Sequence, residues 1–206
     1  MALAMADTKR EGTSADPRPF ATSPPEIDRE TLSRCRTRDP VAFRAFVVRY
    51  QRPVFACLSR MLGHGPHVED LAQEVFLRAF RALPTFDPDG AAKPSTWLLT
   101  IATRIALDAR KRRVIPLRPL EDGANVAQAA TPETERARAE LGRAIEGAAA
   151  QLSDEQRAVL ILCEYHGFTM AEIAAAIGIP EATAKTRLFR ARERMRDALG
   201  NAWREP

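Results

Sequence analysis

The chain has 206 residues, a formal net charge of +4, 45% hydrophobic residues and three cysteines. That length admits one ordinary domain or two small ones, and no apolar run is long enough for a membrane span or a signal-peptide core. Cys35, Cys57 and Cys163 are isolated and odd in number, which argues against a disulfide framework and for a reducing, cytoplasmic compartment. The distribution of charge says more than its sum. Arg110, Lys111, Arg112 and Arg113 are consecutive, and residues 185–196 hold six cations against one anion. Two basic patches on a nearly balanced chain point to phosphate binding at two places.

Residues 1–25 are rich in Pro, Ser, Thr and Ala without any period, and a disordered tail is expected through residue 27. From Asp28 the pattern turns helical. Asp39-Pro40 is a cap followed by Pro at the first helical position. Phe43, Phe46, Val47 and Tyr50 then form an apolar stripe. Pro53 is expected to kink or restart the helix, which continues through Val54, Leu58, Met61 and Leu62 to Gly63. A third helix spans about residues 67–83, with Leu71, Val75, Ala79 and Leu83 at four-residue steps. Residues 84–94 form a loop with the turn signal Asp87-Pro88-Asp89-Gly90. A fourth helix starts at Ser95 or Thr96, runs into Arg113, and turns Trp97, Leu98, Ile101, Ile105 and Leu107 inward. Pro116, Pro119, Gly123, Asn125 and Thr131-Pro132 punctuate residues 114–132, an extended linker. Helix resumes over residues 133–150. Ser153 and Gln156 form a capping box that opens residues 154–166, with Gly167 as the stop. Every periodic segment is helical. The fold class is all-α, with two small helical domains, residues 28–113 and 133–204.

Residues 169–194 carry the sharpest motif. Thr169 caps a short helix, with Glu172 completing a capping box, and Ile173 and Ile177 share one face. Gly178 reverses the chain and Pro180 suits entry to a second helix. There Ala184, Leu188, Ala191 and Met195 form an inward stripe, while Lys185, Thr186, Phe189 and Arg190 fall off it. This is a helix-turn-helix with a recognition helix shaped for the major groove, in preference to a helical hairpin with a solvated basic face. The histidines His64, His67 and His166 sit near helix ends, where capping or surface roles outweigh a metal site. No metal cluster, P-loop or nucleophile constellation is present, so neither catalysis nor a cofactor is expected.

Taken together, these segments resemble the bacterial extracytoplasmic-function (ECF) sigma factors of the sigma-70 family, over residues 31–199. V-E-D-L-A-Q-E-V-F-L-R-A-F at residues 68–80 and S-T-W-L-L-T-I-A-T-R-I-A-L-D-A-R-K-R-R at 95–113 resemble sigma region 2. L-S-D-E-Q-R-A-V-L at 152–160 and A-T-A-K-T-R-L-F-R-A-R at 182–192 resemble region 4. They occur in the family's order, across a short linker that lacks the intervening region of housekeeping sigma factors.

The resemblance implies a promoter-specificity subunit of RNA polymerase serving a stress or envelope-response regulon. Its implied partners are core polymerase, through the beta-prime clamp helices and beta flap, promoter DNA and an anti-sigma factor, without membrane insertion. Asp70, Gln73 and Glu74 would dock on the clamp helices. Arg104, Asp108, Arg110, Lys111, Arg112 and Arg113 would meet the minus-ten element, beside a pocket wall from residues 86–95. Thr183, Lys185, Thr186, Phe189 and Arg190 would read the minus-thirty-five element, with Thr183 and the first helix amides at phosphate. Arg187, Arg192, Arg194 and Arg196 are expected as positioning or solvated charges. Family members commonly carry Asn at the position of Arg104 and an aromatic at that of Pro94, so the resemblance carries DNA binding there but no particular base preference. A helix-turn-helix repressor or activator would leave residues 68–80 and the basic run unexplained. A recombinase would need a catalytic domain.

Overall fold

Asp28 and Asp39 open the first two helices by local capping, the cheapest way to satisfy amides that have no partner within a helix. The computed structural model describes residues 26–90, 92–112 and 132–200. Asp28 accepts from the Thr31 amide at 2.8 Å and starts α1 (Arg29–Arg36). Asp39 accepts from the amides of Val41 and Ala42 at 2.8 and 3.2 Å and starts α2 (Pro40–Leu62). A hydrogen bond from Arg34, then these amides, hold the Asp39 carboxyl below its usual range.

Pro53 does not restart α2, which is continuous from Pro40 to Leu62. The proline removes one ladder bond, at a cost of about 3 kcal/mol. Phe46, Tyr50, Val54, Cys57, Leu58 and Met61 are buried on both sides of it, so core packing carries the helix across. Gly63 ends the helix at φ 81°, a conformation that suits glycine.

Next come α3 (Pro66–Ala82), a single 3-10 turn at Leu83–Thr85, and α4 (Pro94–Lys111). Helix α2 packs against α1, α3 and α4. The turn at Asp87–Gly90 closes with the Gly90 amide donating to the Asp87 carbonyl at 3.3 Å. The start of α4 differs from expectation. Its first residue is Pro94, and its N-cap, Lys93, makes no side-chain cap bond. The cap comes from Glu26. That carboxylate accepts from the Ser95 amide at 3.2 Å, from the Ser95 hydroxyl, and from the Tyr50 hydroxyl at 2.9 Å. Tyr50 in turn accepts from the Ile27 amide at 3.0 Å. Glu26 and Ile27 therefore belong to the packed structure and not to a tail; Ile27 is buried.

The C-terminal helices are α5 (Pro132–Ala150), α6 (Asp154–Glu164), α7 (Met170–Ile177) and α8 (Glu181–Gly200). Both capping boxes form, Ser153 with Gln156 and Thr169 with Glu172. Helix α6 stops at Glu164, two residues short of expectation, and Gly167 follows at φ 66°. Among the described residues every regular element is helical.

The sequence sets a linker at residues 114–132 between the N-terminal and C-terminal helices. In this structure they touch: α2 packs on α6, and α4 packs on both α6 and α7. One cluster of buried side chains runs through both groups, from Leu99 and Ala102 to Phe168 and Ile173. Arg157 of α6 is buried across this junction and donates to the carbonyls of Arg60, at 3.2 Å, and Ala149. The three cysteines are buried and unlinked. Burial pushes the Cys57 thiol up to about 11, so it stays protonated at neutral pH. Residues 1–25, residues 113–131, which hold all of the linker but Pro132, and residues 201–206 lie outside the described residues.

Candidate nucleic-acid interface

The helix-turn-helix is built by local chemistry. Thr169 accepts from the Glu172 amide at 3.2 Å, and Glu172 accepts from the Thr169 amide at 2.7 Å. Gly178 adopts the left-handed conformation, φ 71° and ψ 41°, and its amide closes α7 on the Ala174 carbonyl at 2.9 Å. Ala184, Leu188 and Ala191 are buried, so α8 is fixed by one face. Lys185, Thr186, Phe189 and Arg190 all stand on the exposed side. Phe189 is 62% exposed, unusual for a large aromatic with no packing partner to gain by it. Among the described residues Lys185 is held by an exposed ion pair to Glu181 at 2.8 Å, one helical turn back, a contact of about 0.3–0.5 kcal/mol that a phosphate can replace. The amides of Thr183 and Ala184 already donate to the Pro180 carbonyl, at 3.0 and 3.1 Å. This leaves Thr183 its side-chain hydroxyl as a donor.

The remaining cations of α8 divide differently from expectation. Arg187 pairs with Glu155 at 2.9 Å, Arg192 with Glu164 at 2.5 Å, and Arg194 donates to Gln156 Oε1 at 2.9 Å. All three partners belong to α6. These arginines strut α8 against α6 by their contacts, and the exposed Arg196 fits a solvated charge.

On α4, Arg104 and Asp108 are exposed, as are Lys111 and Arg112, whereas Arg110 is half-buried. Arg104 and Arg110 are both engaged by the C-terminal helices. Arg104 donates to the Ala175 and Ala176 carbonyls, and Arg110 pairs with Asp154 at 2.7 Å. Arg113 lies outside the described residues. Phe86 is buried against Trp97 at 5.0 Å between ring centroids, and Ser95 is buried under Glu26. The loop before α4 is thus anchored at both ends.

On α3, Asp70 and Gln73 are exposed and Glu74 is half-buried, paired with Arg78 at 2.7 Å. Leu71 is half-buried and Val75 fully buried, as the four-residue steps require. The periodicity missed what lies beside this stripe. Phe43 and Val47 of α2, with Phe55, Phe76, Leu77 and Phe80, line an apolar groove of about 600 Å³, and Gln73 sits on its edge. Leu77 is 51% exposed there. The signal was available: Phe55 and Leu77 are large apolar residues off the inward stripes.

Near the junction of the two helix groups, burial and then the charge of Arg60 push the His166 imidazole down to about 4, so it is neutral. Arg60 itself lies 4.1 Å over the Tyr165 ring. No group of three or more metal-ligating side chains occurs among the described residues, and no helix there is long and apolar enough to cross a membrane.

Residues 46–114 match the family model for Sigma-70 region 2, and residues 142–195 match that for Sigma-70, region 4. The RNA polymerase sigma-H factor of Pseudomonas aeruginosa is 31% identical over 190 residues, which cover 87% of this chain and 97% of that one. The ECF RNA polymerase sigma-E factor of Escherichia coli K12 is 34% identical over 176 residues, 81% of this chain and 91% of that one. Among solved structures, CnrH in complex with the cytosolic domain of CnrY aligns with a TM-score of 0.60 at 26% identity, covering 85% of this chain and 98% of that chain. The sigma factor RpoE of Bartonella quintana, solved with the anti-sigma factor NepR, shares the fold with a TM-score of 0.55 at 22% identity, over 77% of this chain and 96% of that one. A helix-turn-helix, a preceding all-helical unit with an exposed basic helix, and relatives matched over nearly their whole length agree: the chain belongs to the ECF sigma factors of the sigma-70 family, non-enzymatic initiation factors that direct RNA polymerase to promoters.

Proposed function

We propose that residues 133–204 read the minus-thirty-five element through α8, that residues 28–113 dock on polymerase and take the minus-ten element through α4, and that residues 114–132 join the two. The observation that carries this is the division of α8. One face is buried apolar contact, and the other presents Lys185, Thr186, Phe189 and Arg190 together to solvent. In the major groove, Arg190 matches the two acceptors of guanine, Phe189 matches a thymine methyl, and Lys185 and Thr183 meet phosphates.

Minus-ten recognition falls to α4, where the exposed Arg104, Asp108, Lys111 and Arg112 lie on one helix with Arg110. Arg113 extends that basic run. Cations along a helix follow a single strand by its phosphates, and base capture by a neighbouring loop supplies selectivity. Docking on the clamp helices falls to Asp70, Gln73 and Glu74, of which Asp70 and Gln73 are exposed and Glu74 is half-buried in a pair with Arg78.

Kinship with sigma-E factors supports an envelope or stress regulon and work in the cytoplasm, and the CnrH structure, a complex with the cytosolic domain of CnrY, supports control by a bound protein partner, which the family reading makes an anti-sigma factor. The test of docking is the triple variant Asp70→Ala, Gln73→Ala and Glu74→Ala. Two exposed positions and one half-buried glutamate in a surface i,i+4 pair carry little folding energy, so helicity should persist while co-elution with core polymerase is lost. A triple variant that forms holoenzyme with wild-type affinity removes the docking assignment.

A further inference from the structure

Helix α4 begins without a cap of its own. Lys93 makes no side-chain cap bond, and the first amides of a helix have no partner within it. The acceptor is Glu26, 69 residues earlier, and its two carboxylate oxygens divide the work. Oε2 accepts from the Ser95 amide at 3.2 Å and from the Tyr50 hydroxyl at 2.9 Å, while Oε1 accepts from the Ser95 hydroxyl. The negative charge also lies at the positive end of the α4 dipole. Glu26 is seated from behind as well. Tyr50 is buried, its ring lies edge-on to Phe46 at 4.8 Å between centroids, and its hydroxyl accepts from the Ile27 amide at 3.0 Å. Just after it, at the start of α1, Arg29 donates to Asp89 at 2.6 Å. The loop before α4 is therefore held at its start by Phe86 on Trp97, at its turn by Arg29 and at its end by Glu26. Two of these anchors come from residues 26–29, which lie outside the minus-ten assignment.

We propose that residues 26–29 form a strap that positions the minus-ten loop, with Glu26 as the positioning residue that acts through Ser95 and Tyr50 and touches no base. The inference rests on reading the loop before α4 as the wall that captures a minus-ten base. A binding site has to be held to within about 0.5 Å by contacts behind it. The exposed Arg29–Asp89 pair contributes little by itself, so the strap depends on the half-buried Glu26. Lys93 and Pro94 connect directly to Ser95, and a shift of Ser95 moves the loop and the first turn of α4 together. Glutamine can stand in for Glu26. Its carbonyl oxygen can accept from the Ser95 amide and from Tyr50, and its amide can donate to the Ser95 hydroxyl. Alanine supplies neither group.

The test uses holoenzyme assembled with the full chain, on a promoter recovered by run-off transcription. A photoreactive benzoylphenylalanine replaces Lys93, an exposed position. With Glu26 intact, crosslinks should fall on one or two bases of the minus-ten strand. Glu26→Ala should spread them over neighbouring bases. It should also cut the preference for an intact strand over one abasic at the crosslinked base by about fivefold or more, the lower end of what one captured base contributes. Binding to a minus-thirty-five duplex and co-elution with core polymerase should not change. Glu26→Gln should restore the focused crosslink and the preference, which a role in bulk stability alone would not require. Tyr50→Phe keeps the ring packing but removes the hydroxyl on Glu26, and it should act in the same direction as Glu26→Ala. It decides the question if circular dichroism shows Glu26→Ala unfolded. Focused crosslinks with unchanged preference in the folded variant would overturn the strap and leave the loop reading in place. Glu26→Gln that behaves as Glu26→Ala would overturn the hydrogen-bonded positioning. Absence of any minus-ten crosslink with Glu26 intact would remove the loop reading, and the strap with it.

Discussion

Replacing Arg190 and Arg194 one at a time separates base reading from helix packing on α8. The two side chains are one turn apart on the same helix, yet they face different partners. Arg190 is exposed beside Thr186 and Phe189. Arg194 donates to Gln156 Oε1 at 2.9 Å and to the Gln151 carbonyl at 3.3 Å. Arg190→Ala should leave thermal stability within about 0.5 kcal/mol of wild type, as for other exposed positions. A bidentate contact to guanine is worth about 1–3 kcal/mol, so affinity for the matched duplex should fall about 5- to 150-fold. Preference at one base pair should flatten with it. Arg194→Ala loses two hydrogen bonds to neutral acceptors at a partly exposed site, together about 1 kcal/mol. For a chain of this size that lowers the melting temperature by about 2–4 °C, with base preferences unchanged. Fluorescence anisotropy on minus-thirty-five duplexes varied one base pair at a time, with thermal melts beside it, reads both effects. A wild-type base profile for Arg190→Ala, or an altered profile for Arg194→Ala with unchanged melting, would refute the division of the helix.

Further expectations follow from other sites. Glu26→Ala removes the acceptor shared by Tyr50 and Ser95 and should cost about 2–4 kcal/mol, measured by denaturant unfolding against the exposed control Glu30→Ala; equal effects would contradict the capping role. Phe189→Ala should weaken binding to a duplex carrying the contacted thymine and have no effect once that thymine is replaced by uracil, which lacks the methyl; a loss of melting temperature instead would mean that Phe189 packs. His166 sits near 4 in the fold against an unperturbed value of 6.5, so the unfolded chain takes up its proton first as pH falls. The contribution is intact above 6.5, is lost between 6.5 and about 4, and amounts to roughly 3 kcal/mol. His166→Gln should flatten stability in that window, and an unchanged slope relative to wild type would show that the imidazole is not held neutral.

Features settled within a few residues were legible in the sequence. The boxes Thr169–Glu172 and Ser153–Gln156, the cap at Asp39 and the reversal at Gly178 are each local bargains between a side chain or a flexible backbone and nearby amides. The buried and exposed faces of α8 follow from its period alone. Contacts made at long range were not legible. The cap of α4 comes from Glu26, 69 residues earlier, and no local pattern at Ser95 announces it. Periodicity marks Arg104, Arg187 and Arg194 as outward-facing, but it does not say whether the outside is solvent, DNA or another helix. In each case another helix answers. The same limit hid the groove beside α3, because a stripe reading assigns Phe43 and Val47 to a core they only border. Pro53 misled for the opposite reason: a local rule for breaking a helix lost to the apolar residues packed on either side of it.

The most direct measurement is run-off transcription from a genomic fragment library with the purified chain and core RNA polymerase. The account predicts discrete start sites preceded by two shared elements, absent with core enzyme alone and absent with the Asp70, Gln73 and Glu74 triple variant. It also predicts altered use of the upstream element by Arg190→Ala. Failure of the chain to co-elute with core polymerase, or transcripts that start without any shared upstream elements, would contradict it.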